Sequence, residues 1–128
     1  MDLDDSRPIW VQLVDIFRHR IVSGQWAPGS KIPSVRELAS GAGVNPNTVQ
    51  RALAELDRTG LTSAERTTNR FVTADAAVLD AVRRELATGT TDAYVVALTG
   101  LGMSLDGATR LLAERWTDRP ATGEPQSS

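Results

Sequence analysis

Two short helical patterns meet across one glycine-bounded turn in residues 34–60, SVRELASGAGVNPNTVQRALAELDRTG. So tight a junction leaves few folds open. Glu37 follows Ser34 by three residues, the pairing that closes a capping box at a helix start. Val35, Leu38 and Ala39 give the first helix its apolar side. Gly41 and Gly43 are expected to end it, since glycine reaches φ > 0 without steric cost. Val44 then follows as a buried plug. Asn45 caps the second helix, with Pro46 at the first helical position, where a missing N–H is harmless. Val49, Ala52, Leu53 and Leu56 recur at helical spacing and face a core. Gly60 is the stop signal. Residues 61–73, LTSAERTTNRFVT, form a two-stranded hairpin pattern with Leu61, Phe71 and Val72 turned inward. Helix, turn, helix and hairpin in that order describe a winged helix-turn-helix, which lays one helix in a DNA major groove.

The side of the second helix away from the core carries Asn47, Gln50, Arg51 and Arg58. Amides of Asn and Gln can bond N6 and N7 of adenine, and Arg suits O6 and N7 of guanine. The helix N-terminus offers free N–H groups and a positive dipole end to a phosphate. At the hairpin tip Arg66 and Arg70 can reach the minor groove or the backbone. Any one of these residues alone is more simply read as an ordinary solvated side chain. Their combination with the preceding helix and the hairpin favours DNA.

Upstream, Ile9, Leu13, Ile16, Phe17 and Ile21 mark an amphipathic helix between Arg7 and Ser23, with Pro8 near its start and Gly24 past its end. Trp10 and Trp26, near its two ends, are expected in packing. Ala27-Pro28-Gly29-Ser30 suits a type II turn, and Lys31-Ile32 a very short strand beside the hairpin. Downstream, Val78, Val82, Leu86, Ala93, Val96, Ala97 and Leu101 imply one long helix, or two interrupted near Thr88-Gly89-Thr90-Thr91. Ser104 caps a last helix to about Trp116, with Leu105, Ala108, Leu111, Leu112 and Trp116 on one face. Two such helices cannot bury a core alone; they must pack on the N-terminal domain, on a second copy or on both, and a second copy is the favoured cover. A symmetric dimer would also set two reading helices on two half-sites. The expected fold is mostly α with a small β-hairpin wing. It comprises a winged helix-turn-helix DNA-binding domain (7–73), a two-helix dimerisation segment (74–119) and a disordered tail (120–128).

Composition excludes other classes. Among 128 residues there is no cysteine, hence no disulfide framework or thiolate metal site. No apolar run approaches the ~20 residues that span a bilayer. The acidic start MDLDDSRP is unlike a secretory signal. The cytoplasm is the expected compartment, with no membrane partner. Net charge is −2, but residues 31–73 hold six basic against four acidic side chains and are the one net-basic segment. So small an excess implies few phosphate contacts per monomer, another reason to expect two monomers on DNA. The single histidine, His19, has Asp15 four residues earlier, which suggests a surface pair. No phosphate loop, catalytic constellation or metal-ligand spacing occurs, so neither an enzyme nor a cofactor is expected.

The run PIWVQLVDIFRHRIVSGQWAPGSKIPSVRELASGAGVNPNTVQRALAELDRTGL resembles the DNA-binding domain of GntR-family bacterial transcription regulators. The resemblance covers residues 8–73. Its short C-terminal region, and Asn45-Pro46-Asn47-Thr48, look like the YtrA-type branch, whose members carry a brief two-helix dimerisation segment. The resemblance implies a homodimeric repressor on a pseudo-palindromic double-stranded DNA operator. It also implies that Arg36 holds a backbone phosphate and that Pro46 and Gln50, with neighbours Asn47 and Thr48, stand at base-contact positions. The DNA-binding set expected from both lines is Lys31, Arg36, Asn45, Pro46, Asn47, Thr48, Gln50, Arg51, Arg66 and Arg70. In the wing, Thr67 and Asn69 replace the glycines usual in relatives. A small-molecule effector would have to lie between the C-terminal helices or at the dimer interface. The rival reading is a winged-helix protein-interaction module without DNA binding, which would show exposed apolar residues on the second helix of the pair.

Overall fold

The computed structural model describes residues 3–65 and 69–118. In chain order the elements are α1 (Ile9–Val22), α2 (Val35–Ala42), α3 (Pro46–Arg58), β1 (Thr62–Glu65), β2 (Asn69–Val72), α4 (Ala76–Gly100) and α5 (Leu105–Thr117). They form two compact units, divided within α4 after Leu86.

In the first unit α1 and α2 both pack on α3. Leu13, Phe17 and Ile21 from α1 meet Val49, Ala52, Leu53 and Leu56 from α3, with Leu38 and Ala39 of α2 at the edge. Ile32, Leu61, Val72, Leu79 and Val82 complete this core. Each large apolar side chain removed from water contributes roughly 1.5–3 kcal/mol, so the core fixes where α3 points. Trp26 lies against Phe17 with ring centroids 5.3 Å apart, the packing role expected for it. Val44 is half-buried, not the sealed plug expected. Gln12 is buried and bonds the chain ahead of α1, accepting from Asp4 N–H and donating to the carbonyls of Asp4 and Arg7.

The helix boundaries follow their capping chemistry. Ser34 Oγ accepts from Glu37 N–H at 3.1 Å and Glu37 Oε1 accepts from Ser34 N–H at 2.9 Å. Gly43, at φ 68°, closes α2 in the left-handed conformation, whereas Gly41 lies inside the helix and does not end it. The hairpin is antiparallel, with Thr62 opposite Val72 and Glu65 opposite Asn69. Lys31 bridges Phe71 beside it, and Ile32 N–H donates to Arg70 O at 2.9 Å. A single bridge therefore stands where a very short strand was expected at Lys31-Ile32. His19 is exposed, but Asp15 pairs with Arg7 at 2.9 Å, a different surface pair from the one its spacing suggested.

The second unit begins at Ala87. Between the alternatives for this region, α4 runs unbroken through Thr88–Thr91. Thr91 Oγ1 donates back to Ala87 O at 2.9 Å, so its hydroxyl is satisfied within the helix. Ser104 Oγ accepts from Gly107 N–H and starts α5. No side chain of α5 is buried. Among the described residues no helix is long and apolar enough to cross a membrane, and no cluster of three or more His, Cys, Asp or Glu could hold a metal ion. The expected tail, residues 120–128, lies outside the described residues.

Candidate nucleic-acid interface

Helix α3 has two chemically distinct sides. Val49, Ala52, Leu53 and Leu56 are at most 1% exposed, whereas Asn47, Gln50, Arg51, Ala54 and Arg58 face water. Thr48 is half-buried, and Asn45 and Pro46 are exposed. A helix clamped by its apolar face presents the other side as a fixed array. On that side two amides and two guanidinium groups stand beside a small Ala54, a surface able to approach a groove floor.

The N-terminus of α3 departs from the expectation of free amides. Pro46 has no N–H, Asn45 Oδ1 accepts from Asn47 N–H at 2.7 Å, and Asn45 O accepts from Thr48 and Val49. The dipole end remains, but the donors that would meet a phosphate are already engaged. Asn45 is therefore a cap in this structure.

The arginines divide by partner. Arg58 donates from Nε and Nη2 to Glu55 at 2.9 and 2.6 Å. Those hydrogen bonds hold the Glu55 carboxyl below the usual glutamate range and push Arg58 up. Arg70 donates from Nε and Nη2 to Asp57, and Thr62 Oγ1 donates to the same carboxylate at 2.5 Å. Arg51 lies over the Trp10 ring, its guanidinium carbon 4.2 Å from the centroid. Arg36 on α2 and Lys31 are exposed, with no ion pair among the described residues. Arg66 lies outside the described residues.

Of the expected site residues, Asn45, Pro46, Asn47, Gln50 and Arg51 are exposed along α3 and its cap, with Thr48 half-buried beside them, Arg36 is exposed on α2 and Lys31 at its bridge to the hairpin, whereas Arg70 on β2 is turned to Asp57. Sequence reading missed Asp57, Glu55 and Trp10 as partners of the basic residues. Glu55 and Arg58, three residues apart on one helix, carried a readable signal. The pairs Asp57–Arg70 and Trp10–Arg51 join different elements and carried none.

Comparison with known proteins bears on this site. The family model for bacterial regulatory proteins of the gntR family matches residues 11–72. The HTH-type transcriptional regulator YhcF of Bacillus subtilis is 34% identical over 99 residues, covering 77% of this chain and 82% of that protein. The HTH-type transcriptional repressor YtrA of the same organism is 37% identical over 76 residues, covering 59% and 58%. A GntR family transcriptional regulator from Listeria monocytogenes superposes with a TM-score of 0.72 at 33% identity, covering 88% of this chain and 98% of its own.

Proposed function

The chain belongs to the gntR family of bacterial regulatory proteins, a family of DNA-binding transcriptional regulators and not of enzymes, and from that premise we propose that it is a homodimeric repressor of a pseudo-palindromic operator. The observation that carries this reading is the exposed face of α3. Asn47, Gln50 and Arg51 offer hydrogen-bonding edges there, over a core that holds the helix rigid. Residues at the front of such a helix contact base edges, while Lys31, Arg36 and, in our reading, Arg66 supply phosphate contact.

The interaction-module alternative needs an apolar α3 face. Among the described residues, the exposed large apolar side chains lie between Tyr94 and Trp116. That same distribution supports dimerisation in the second unit. Val96 is 72% exposed, Leu101 77%, Leu105 83% and Trp116 64%, more apolar surface than a lone pair of helices leaves in water without a partner. The division of labour proposed is DNA reading by residues 7–73 and pairing by residues 74–119. The repressor role follows YtrA, a repressor of which this chain covers just over half. A protein acting on the bacterial chromosome works in the cytoplasm, which is the compartment of this reading.

Selection of bound duplexes from a random DNA pool tests the proposal. The expected product is a pair of inverted half-sites about one or two helical turns apart. A single asymmetric site contradicts the dimer, and no enrichment contradicts sequence-specific binding.

A further inference from the structure

We propose that Trp10, on α1, is a positioning residue for DNA recognition: its indole face fixes the plane of the Arg51 guanidinium, so that Arg51 presents a rigid two-pronged donor edge to the DNA. The proposal rests on the DNA-binding reading of α3 and adds to it a residue outside the helix-turn-helix.

Three observations carry it. The guanidinium carbon of Arg51 lies 4.2 Å from the Trp10 ring centroid, a distance at which the cation is held over the π face. Stacking occupies the flat face of a guanidinium and leaves its in-plane N–H donors free. The arginine at the end of α3 and the one on the hairpin strand use theirs on carboxylates. Arg58 is chelated by Glu55 and Arg70 by Asp57, whereas Arg51 has no carboxylate partner among the described residues.

Position and entropy point the same way. Arg51 is exposed and sits one helical turn beyond Asn47, on the stripe of α3 that faces away from the core. A free arginine there would lose rotamer entropy on binding DNA. The indole removes part of that loss beforehand, because Trp10 is itself half-buried on a helix packed against α3. The chemistry that completes the edge is a pair of adjacent oxygen or nitrogen acceptors. A guanine major-groove edge and a phosphate both qualify.

The test is a mutant cycle on the duplex most enriched from a random pool by the wild-type chain. Arg51→Ala is expected to weaken binding roughly 5- to 150-fold, the range of one bidentate contact. Trp10→Leu should lose most of that amount, and adding Trp10→Leu to Arg51→Ala should cost little more. Trp10→Phe, which keeps an aromatic face, should recover binding. Arg51→Lys, an exposed change that spares the fold, should lose nearly as much as Arg51→Ala, because a point charge lacks the fork. A loss confined to one symmetric pair of base-pair positions identifies guanine. A uniform loss with a salt slope smaller by about one identifies phosphate. Additive effects of Trp10→Leu and Arg51→Ala, or wild-type affinity in Arg51→Lys, would overturn the proposal while leaving DNA binding intact. Failure of the wild-type chain to enrich any duplex would overturn the underlying reading instead.

Discussion

Arg70 of the hairpin grips both carboxylate oxygens of Asp57 at the end of α3, Nε donating to Oδ1 at 3.1 Å and to Oδ2 at 3.0 Å and Nη2 to Oδ2 at 2.9 Å, across 13 residues of chain. The side chains are only 22% and 28% exposed, and the buried Thr62 shares the same carboxylate. A charge-assisted, two-pronged bond between the two elements fixes the angle at which the wing leaves the helix. Sequence reading assigned Arg70 to DNA, and here its Nε and Nη2 donors are taken up by Asp57.

Removing either partner should therefore act on stability. Asp57→Ala strands both Arg70 and the Thr62 hydroxyl and is expected to cost about 1–3 kcal/mol. Arg70→Ala should cost somewhat less. Urea unfolding of both single variants and the double variant measures the coupling, expected at about 1 kcal/mol. Strictly additive costs would mean that the pair does not hold the wing.

The α2 capping box gives a pH signature. The Ser34 backbone N–H, and then its hydroxyl, hold Glu37 below the ordinary glutamate value of 4.5. Because the folded value is depressed, this contribution is complete above the unfolded value and is lost as pH falls through the folded one. Stability of wild type should thus decline below about pH 4.5 by more than that of Glu37→Gln, in which the titrating group is gone. Parallel decline in both proteins, followed by thermal melts across this range, would remove Glu37 from the acid response.

Arg36 projects from α2 without a carboxylate partner among the described residues. If it meets a phosphate, Arg36→Ala should weaken binding to every duplex alike and lower the salt slope by about one. Titrations in graded salt on two unrelated duplexes decide this. A loss seen on one duplex only is incompatible with a phosphate role.

Dimerisation is open to a direct assay. Replacing the exposed Leu105 and Leu112 together by Glu should leave helix content unchanged and convert a dimer to a monomer in sedimentation. A wild-type chain that sediments as a monomer at micromolar concentration contradicts the assignment of these helices.

The winged helix-turn-helix was legible because its signals are local. Ser34 with Glu37, Gly43, and Asn45 with Pro46 each fix a boundary within a few residues, and the apolar spacing of α3 names its buried face. Continuity of α4 was less legible. Thr88, Gly89, Thr90 and Thr91 are poor helix formers, yet propagation is favourable once long flanking segments are helical. Occupancy of the basic residues was the least legible part. Whether Arg70 meets Asp57 or DNA depends on the placement of β2 beside α3, and whether Trp10 meets Arg51 depends on the crossing of α1 over α3. Neither leaves a spacing pattern in the chain. The free amides expected at the front of α3 failed for a local reason, since the same Asn45 that caps the helix also uses its donors.

The most direct test of α3 as the base reader compares wild type with Asn47→Ala/Gln50→Ala on the selected operator and on a scrambled duplex of equal length. Both side chains are exposed, so folding should be unchanged, which a thermal melt verifies. Each lost base contact is worth about 1–3 kcal/mol of discrimination. The expected result is a large fall in the operator-to-scrambled affinity ratio with scrambled binding nearly constant. An unchanged ratio would mean that sequence is read elsewhere than at the front of α3.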